Sequence, residues 1–365
     1  MQNQIWYKKW HENKFHGAVH WSFFVVFSIF LSIFILNEFN SVGTIDAAFT
    51  DANYRLFKTN HRATTPGKFS IATDIVEIDI GIIESGVSDI VLSLPDKSFV
   101  NLKKRSHKLI TKSNAVWRGY VDKKQNSDVV LTLKNGFLAG IIRIDDSVYE
   151  IRPIPNNKYV FKKLDINSIP IDKHQVVGSL QTTENISQGS TSQASASNVV
   201  EIDLLSVYTP EARSEAGGRA QMDAIIQSAV DNANIVFENS QVNTRYNLIA
   251  TAEVSHHDSG NISTDLNWLQ ADPGVAAVRN QYGADLVSLM VQNGAGWCGS
   301  AFAMRAVGPE FENLAFQVTD SSCSGTLAFT HEHGHNLGME HDPQNGVLPQ
   351  YASYPWSYGH YVNGS

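Results

Sequence analysis

The stretch Ala328-Phe329-Thr330-His331-Glu332-His333-Gly334-His335-Asn336-Leu337-Gly338-Met339-Glu340-His341-Asp342 decides how this 365-residue chain is read. His331 and His335 are four positions apart, so on a helix they stand one above the other and both reach one metal ion. Glu332 sits beside the first ligand, where its carboxylate reaches an attacking water without being a ligand. His333 points elsewhere, because residues two apart do not share a helix face. Gly338 can take the left-handed conformation that ends a helix, and the turn brings His341 back as a third ligand. Three imidazoles leave one position open for water, which is the arrangement of a catalytic zinc centre. HExxH alone arises by chance. HExxHxxGxxHD adds three fixed positions with a geometric reason for each, which disfavours the bland alternative of a histidine-rich surface loop.

Upstream of this helix, Val199–Tyr208 (VVEIDLLSVY) is a strongly apolar strand. Thr209 and Pro210 come next as a cap and a first helical residue. They predict a helix running to about Asn239. Strands are expected at 245–254 and 285–291, with a helix at 273–282 between them. Strand, helix, strand, helix, strand is an α/β order. Residues 69–165 read as strands instead. Val76, Ile78, Ile80 and Ile82 alternate with polar or small residues, the period of a half-buried strand. Further strands are expected at 88–94, 115–121, 128–133, 137–144 and 148–154, with Asn135-Gly136 as a hairpin turn. Residues 174–198, rich in Ser, Thr, Gln and Ala, read as a flexible linker that contains no Lys or Arg. The expected organisation is a β-rich module at 50–173, the linker, and a second module at 199–365.

The N-terminal 43 residues hold an export signal or an anchor. Lys8, Lys9 and Lys14 precede an apolar run at 18–36, and Glu38, Asp46 and Asp51 lie beyond it. That polarity keeps the N-terminus inside and places the downstream chain outside the cytoplasm. The run lies between the lengths of a signal peptide and a membrane-spanning helix, so both readings stand. A small-residue cleavage site falls after Gly43. The chain is therefore expected to be extracytoplasmic, secreted or held to the membrane by residues 18–36.

Composition narrows the class. With 42% hydrophobic and 18% charged residues the chain forms a core and is not a disordered protein. Its net charge of −8 argues against nucleic-acid binding. From residue 199 onward, 18 acidic residues face 5 arginines and no lysine, giving −13 there and +5 for residues 1–198. Opposite charge on the two halves suggests that they attract one another. Cys298 and Cys323 are a single even pair, read as a disulfide in an extracytoplasmic protein, with two buried free thiols as the alternative.

The HExxHxxGxxHD stretch resembles the zinc signature of the metzincin metallopeptidases, and the aspartate after the third histidine is similar to their reprolysin (adamalysin) branch. The VVEIDLLSVYTPEAR opening, Ala284-Asp285-Leu286-Val287, the Trp297-Cys298-Gly299 turn and the final helix resemble more closely the bacterial peptidyl-Asp metallopeptidase group. The resemblance covers about 199–342. It implies a metzincin-like α/β (α+β) catalytic domain behind a mainly β prodomain, with Val116-Trp117-Arg118-Gly119-Tyr120 the most recognisable prodomain segment. It also implies one zinc ion on His331, His335 and His341, with Glu332 as general base in peptide hydrolysis. Asp342 would anchor the turn and Gly338 end the helix. Nothing in the sequence indicates a structural Ca2+ ion.

The family also carries a methionine turn beneath the metal, downstream of the third histidine. Met1, Met222, Met290, Met304 and Met339 all precede His341. The expectation is a catalytic module cut short at its C-terminus, with a zinc-binding pseudo-protease or incomplete fragment as the alternative. No cysteine precedes Cys298, so a prodomain thiolate cannot hold the zinc. A β module that keeps the enzyme latent as a zymogen would have to block the cleft or offer a carboxylate or histidine. The implied partners are protein or peptide substrates, the chain's own prodomain, and a membrane if residues 18–36 are retained.

Overall fold

In the computed structural model the ten strands between residues 54 and 164 form one sheet. That model describes residues 54–58, 62–170, 199–344, 346, 348 and 352–359. The apolar run at 18–36 and the linker at 174–198 lie outside the described residues. Among the described residues, no helix is long and apolar enough to cross a membrane. Residues Asn53–Ser365 cluster as one compact unit, so the β-rich half and the histidine-bearing half belong to one body.

The β-rich half contains β1 (Tyr54–Arg55), β2 (Arg62–Thr64), β3 (Ser70–Val76), α1 (Ile80–Ser85), β4 (Asp89–Ser93), β5 (Phe99–Thr111), β6 (Asn114–Val121), β7 (Ser127–Lys134), β8 (Phe137–Ile144), β9 (Ser147–Ile154) and β10 (Lys158–Leu164). Their order in the sheet is β1-β4-β5-β6-β7-β8-β9-β10-β3-β2, and β4 to β10 run as consecutive antiparallel pairs. Asn135 and Gly136 both have positive φ, 52° and 80°, as a two-residue hairpin between β7 and β8 requires. Inward residues Trp117, Leu131, Leu133, Ile142, Ile151 and Phe161 build the core of this half.

The alternation expected to extend a strand through Ile80 and Ile82 does not do so. The strand ends at Val76, and the Asp79 side chain accepts a hydrogen bond from Gly81 N and opens α1. Asx capping offered the backbone a helical turn, and Ile82 and Ile83 are buried by it. β5, with three lysines and an arginine, and β10, with three lysines, fall within the strand-rich 69–165 but lack the apolar pattern that places a strand individually.

The second half contains β11 (Val200–Tyr208), α2 (Pro210–Ala216), α3 (Arg219–Asn239), β12 (Thr244–Glu253), α4 (Ile262–Ala271), α5 (Pro273–Tyr282), β13 (Leu286–Val291), β14 (Gly299–Ala301), β15 (Phe316–Asp320) and α6 (Ala328–Asn336). Its sheet order is β12-β11-β13-β15-β14, parallel throughout except for the antiparallel edge strand β14. Adjacent residues of β11 face opposite layers. Leu204 packs with Met222, Ile226 and Phe329 of α3 and α6, whereas Leu205 packs with Leu266, Leu269 and Val275 of α4 and α5. A parallel sheet covered on both faces explains why its strands read as unbroken apolar runs.

The helix expected from Thr209 to about Asn239 is two helices. Gly217 and Gly218, with φ of 99° and 143°, end α2 and restart the chain as α3. α3 is buried on more than one side, because the second half's sheet lies under it and β7–β9 lie over it. As a result β7, β8 and β9 are buried on both faces, with Val130, Thr132, Ala139, Ile141, Glu150 and Arg152 turned away from their own core and still buried.

Candidate metal centre

The three histidines named from sequence come together at the end of α6. His331 and His335 lie on the helix, and the ligand nitrogens of His331, His335 and His341 all fall within 4.8 Å of one another. The helix ends in a Schellman arrangement. Met339 N donates to Gly334 O and Gly338 N to His335 O, with Gly338 at φ 84°. A side chain at Gly338 would be strained by that φ and would also meet Ser353 Oγ at 2.6 Å. The turn is thus free to carry His341 back over the helix end.

The donor set fits zinc. His331 Nε2 and His341 Nε2 are 3.0 Å apart, close to the spacing of about 3.3 Å between corners of a tetrahedron with Zn–N bonds of about 2.0–2.1 Å. His335 Nδ1 lies 2.8 Å from the carbonyl of Met339. With its proton donated there, Nε2 is left with a lone pair for the metal, the outer-shell arrangement that orients a ligating imidazole. His331 is exposed while His335 and His341 are largely buried, so the cluster opens to solvent on the His331 side.

Glu332 is fully buried next to the edge strand β14: a Cβ placed on Gly299 would lie 2.2 Å from Glu332 Oε1. Only glycine lets that backbone approach the carboxylate so closely. His333 faces the opposite way, into the core, against Phe329 and Tyr246. Burial pushes its pKa down to about 4, so it is neutral and its Nδ1 bonds the Phe329 carbonyl at 2.9 Å. Asp342 Oδ1 accepts from Gln344 N, and Gly346 N donates to the Asp342 carbonyl, bonds that brace the turn after His341.

The sulfurs of Cys298 and Cys323 are bonded to one another. The bridge ties the loop before β14 to the segment before α6. From Cys323 the chain is bonded directly into the helix: Thr326 Oγ1 donates to Cys323 O and accepts from Ala328 N.

Two supports of this site were not found by sequence reading. Asn336 Nδ2 donates to Phe302 O at 2.9 Å and to Phe316 O at 3.0 Å, fixing α6 to the β14–β15 edge. Arg305 pairs with buried Glu340, the residue before His341, at 2.8 Å. Neither sits at a motif position, and Arg305 is 35 positions from its partner, so no local signal marks them.

A helix that presents two histidines and a glutamate, a glycine turn that returns a third histidine, and a mostly parallel sheet with an antiparallel edge beside them make up a candidate metal centre. Residues 223–342 match the family model described as Metallo-peptidase family M12B Reprolysin-like. The chain is 32% identical over 183 residues to the peptidyl-Asp metalloendopeptidase of Pseudomonas aeruginosa, covering 45% of this chain and 30% of that protein. It is 27% identical over 243 residues to the peptidyl-Asp metalloendopeptidase of Stenotrophomonas maltophilia, covering 64% of this chain and 55% of that one. The chain thus spans about half or less of these two relatives. Among solved structures, metalloproteinase-II from Bacteroides fragilis is similar at TM-score 0.38 and 15% identity, over 76% of this chain and 88% of that one. The likeness to reprolysin-like metallopeptidases and to the peptidyl-Asp group rests on the family-model match and the two sequence relatives as well as on the motif.

Proposed function

We propose that the chain is an exported, zinc-dependent metalloendopeptidase. The observation that carries this reading is the convergence of His331, His335 and His341 on one point with Glu332 beside them. The family match over 223–342 supports the same class. Zinc would be held by the three imidazoles and, when bound, supplies Lewis-acid polarisation of a carbonyl and acidification of water.

The protein's own groups do the remainder. Glu332, buried beside β14, takes the proton of the attacking water and returns it to the departing amine. Burial against a strand excludes bulk water from that carboxylate and holds it in one place. β14 is an edge strand of its sheet, paired with β15, and lies directly against the Glu332 carboxylate. The relatives' name makes peptides containing Asp the first substrates to try. Export rests on the lysine-flanked apolar run at 18–36, which would be either removed or kept as an anchor.

The test is zinc content and peptide hydrolysis, measured together on the purified chain. One zinc per molecule with hydrolysis that disappears in Glu332→Gln, zinc retained, supports the proposal. Zinc binding without hydrolysis in the unaltered chain would leave a metal-binding protein of another function.

A further inference from the structure

The two halves meet through a surface with built, buried polar contacts. Glu150 of β9 is 2% exposed, pairs with Lys162 of β10 at 2.7 Å, and accepts from Ser324 Oγ of the second half at 2.7 Å. Arg152, 3% exposed, donates to the Ser321 carbonyl at 2.9 Å and reaches Glu215 of α2, which also accepts from Ser321 Oγ. Lys162 is 3.4 Å from the Ser322 carbonyl. Lys68 pairs at 2.7 Å with Asp320, whose side chain is fully buried. These four β-module side chains grip residues 320–324, the segment that carries Cys323 and leads into α6.

Shape agrees with charge. A Cβ on Gly325 would lie 2.7–2.8 Å from three Glu150 side-chain atoms, and one on Gly217 would lie 2.8 Å from Pro155 N. Both glycines belong to the second half, and both let the β-module chain come closer than any side chain would allow. Elsewhere along α3, Thr132, Asn135 and Arg143 bond Asp231, Asp223 and Asn232. The second half has no lysine of its own, so Asp320 draws its ammonium partner from the β module. Losing one partner of a buried pair leaves a charge without compensation and is strongly destabilising.

We propose that the β module is a retained, non-covalent support of the metal-binding half. Cutting the 174–198 linker leaves it docked on α3, and Glu150, Arg152 and Lys162 position residues 321–325 and hence the start of the zinc helix. The described contacts between the halves fall on α2, α3 and 320–325, which is where a buttress would sit. The second clause of the proposal rests on the zinc reading above, whereas retention does not.

The experiment uses the full chain with a site-specific protease sequence substituted within 183–190. After complete cutting, the two pieces are run together by gel filtration and native mass spectrometry at low micromolar concentration. Co-elution as one complex is expected, and separate elution overturns retention. Zinc affinity is then read by competition with a chromophoric chelator. The cut and uncut proteins should agree within about twofold. Glu150→Gln should weaken both association and zinc affinity by about tenfold, on the scale of one lost charged contact. Arg118→Ala, which removes only the more exposed pair with Glu238, should change either by no more than about twofold. If Glu150→Gln does not fold, Ser324→Ala carries the same comparison, since it deletes only the hydroxyl on Glu150. Unchanged association and zinc affinity in a folded variant overturn the positioning role. A chain that takes up no zinc while its cut pieces co-elute would count against the zinc reading and leave retention standing.

Discussion

Arg305 holds Glu340 at 2.8 Å, and Glu340 is the residue immediately before the third histidine. Glu340 is also fixed through its backbone, with Glu340 N donating to Ser357 O and Gly359 N to Glu340 O. The carboxylate is almost fully buried, so the guanidinium is its compensation. Arg305→Met should therefore loosen the turn that presents His341. The expected result is zinc affinity lower by about tenfold, with Glu340→Gln giving a similar loss and the double substitution less than their sum. Chelator competition on the four proteins measures it, and additive losses would show that the two residues act separately.

The histidine cluster makes a direct prediction about metal content. His335→Ala should abolish stoichiometric zinc in purified protein, because two remaining imidazoles do not close a site. Elemental analysis decides this, and a variant that still carries one zinc would remove His335 from the ligand set. Glu332→Gln should keep its zinc while hydrolysis falls by about 10²–10⁴-fold, the usual contribution of a positioned general base.

The Cys298–Cys323 bond closes a loop over a sequence separation of 25. Cys323→Ser should cost about 3 kcal/mol of unfolding free energy, by loop-closure entropy. Urea unfolding of both proteins, with a non-reduced digest to find the linked peptides, checks the value. A loss near zero would mean that the unfolded chain was not constrained by the bond.

Asp231 predicts a pH dependence at the junction of the halves. Burial pushes its pKa up to about 6 despite hydrogen bonds from Thr132 and Gln227. A carboxyl whose folded pKa lies above its unfolded value contributes stability in the protonated state. That contribution is full below about pH 3.8 and is lost as pH rises through about 6. Asp231→Asn should then raise stability at pH 7 and leave it little changed at pH 4. Urea melts at the two pH values test the sign, and destabilisation at pH 7 would refute it.

Much of the site was legible because it is local. His331, Glu332, His335, Gly338 and His341 fall within eleven positions, so helix periodicity and a glycine turn are enough to place them around one point. Apolar strands were also legible where one pattern dominated, as at β8, whose bounds Phe137–Ile144 coincide with the expected 137–144. What failed was local competition. Asp79 capped a helix where alternation promised a strand, and Gly217-Gly218 broke a helix where spacing promised continuity.

The sequence by itself determined which histidines meet at the candidate metal centre, because a metal motif is a short-range pattern of ligand atoms on a helix and the turn that ends it. It also determined that the halves carry opposite charge. Only the tertiary structure decided which distant side chains meet. Lys68 finds Asp320 across 252 positions, Arg305 finds Glu340 across 35, and Glu150 is buried against Ser324 across 174. Such pairs are chosen by which surfaces pack, not by spacing along the chain. The face of β9 that turns Glu150 and Arg152 outward would read as solvated in any strand considered alone, and it is the packing of α3 against β7–β9 that buries them.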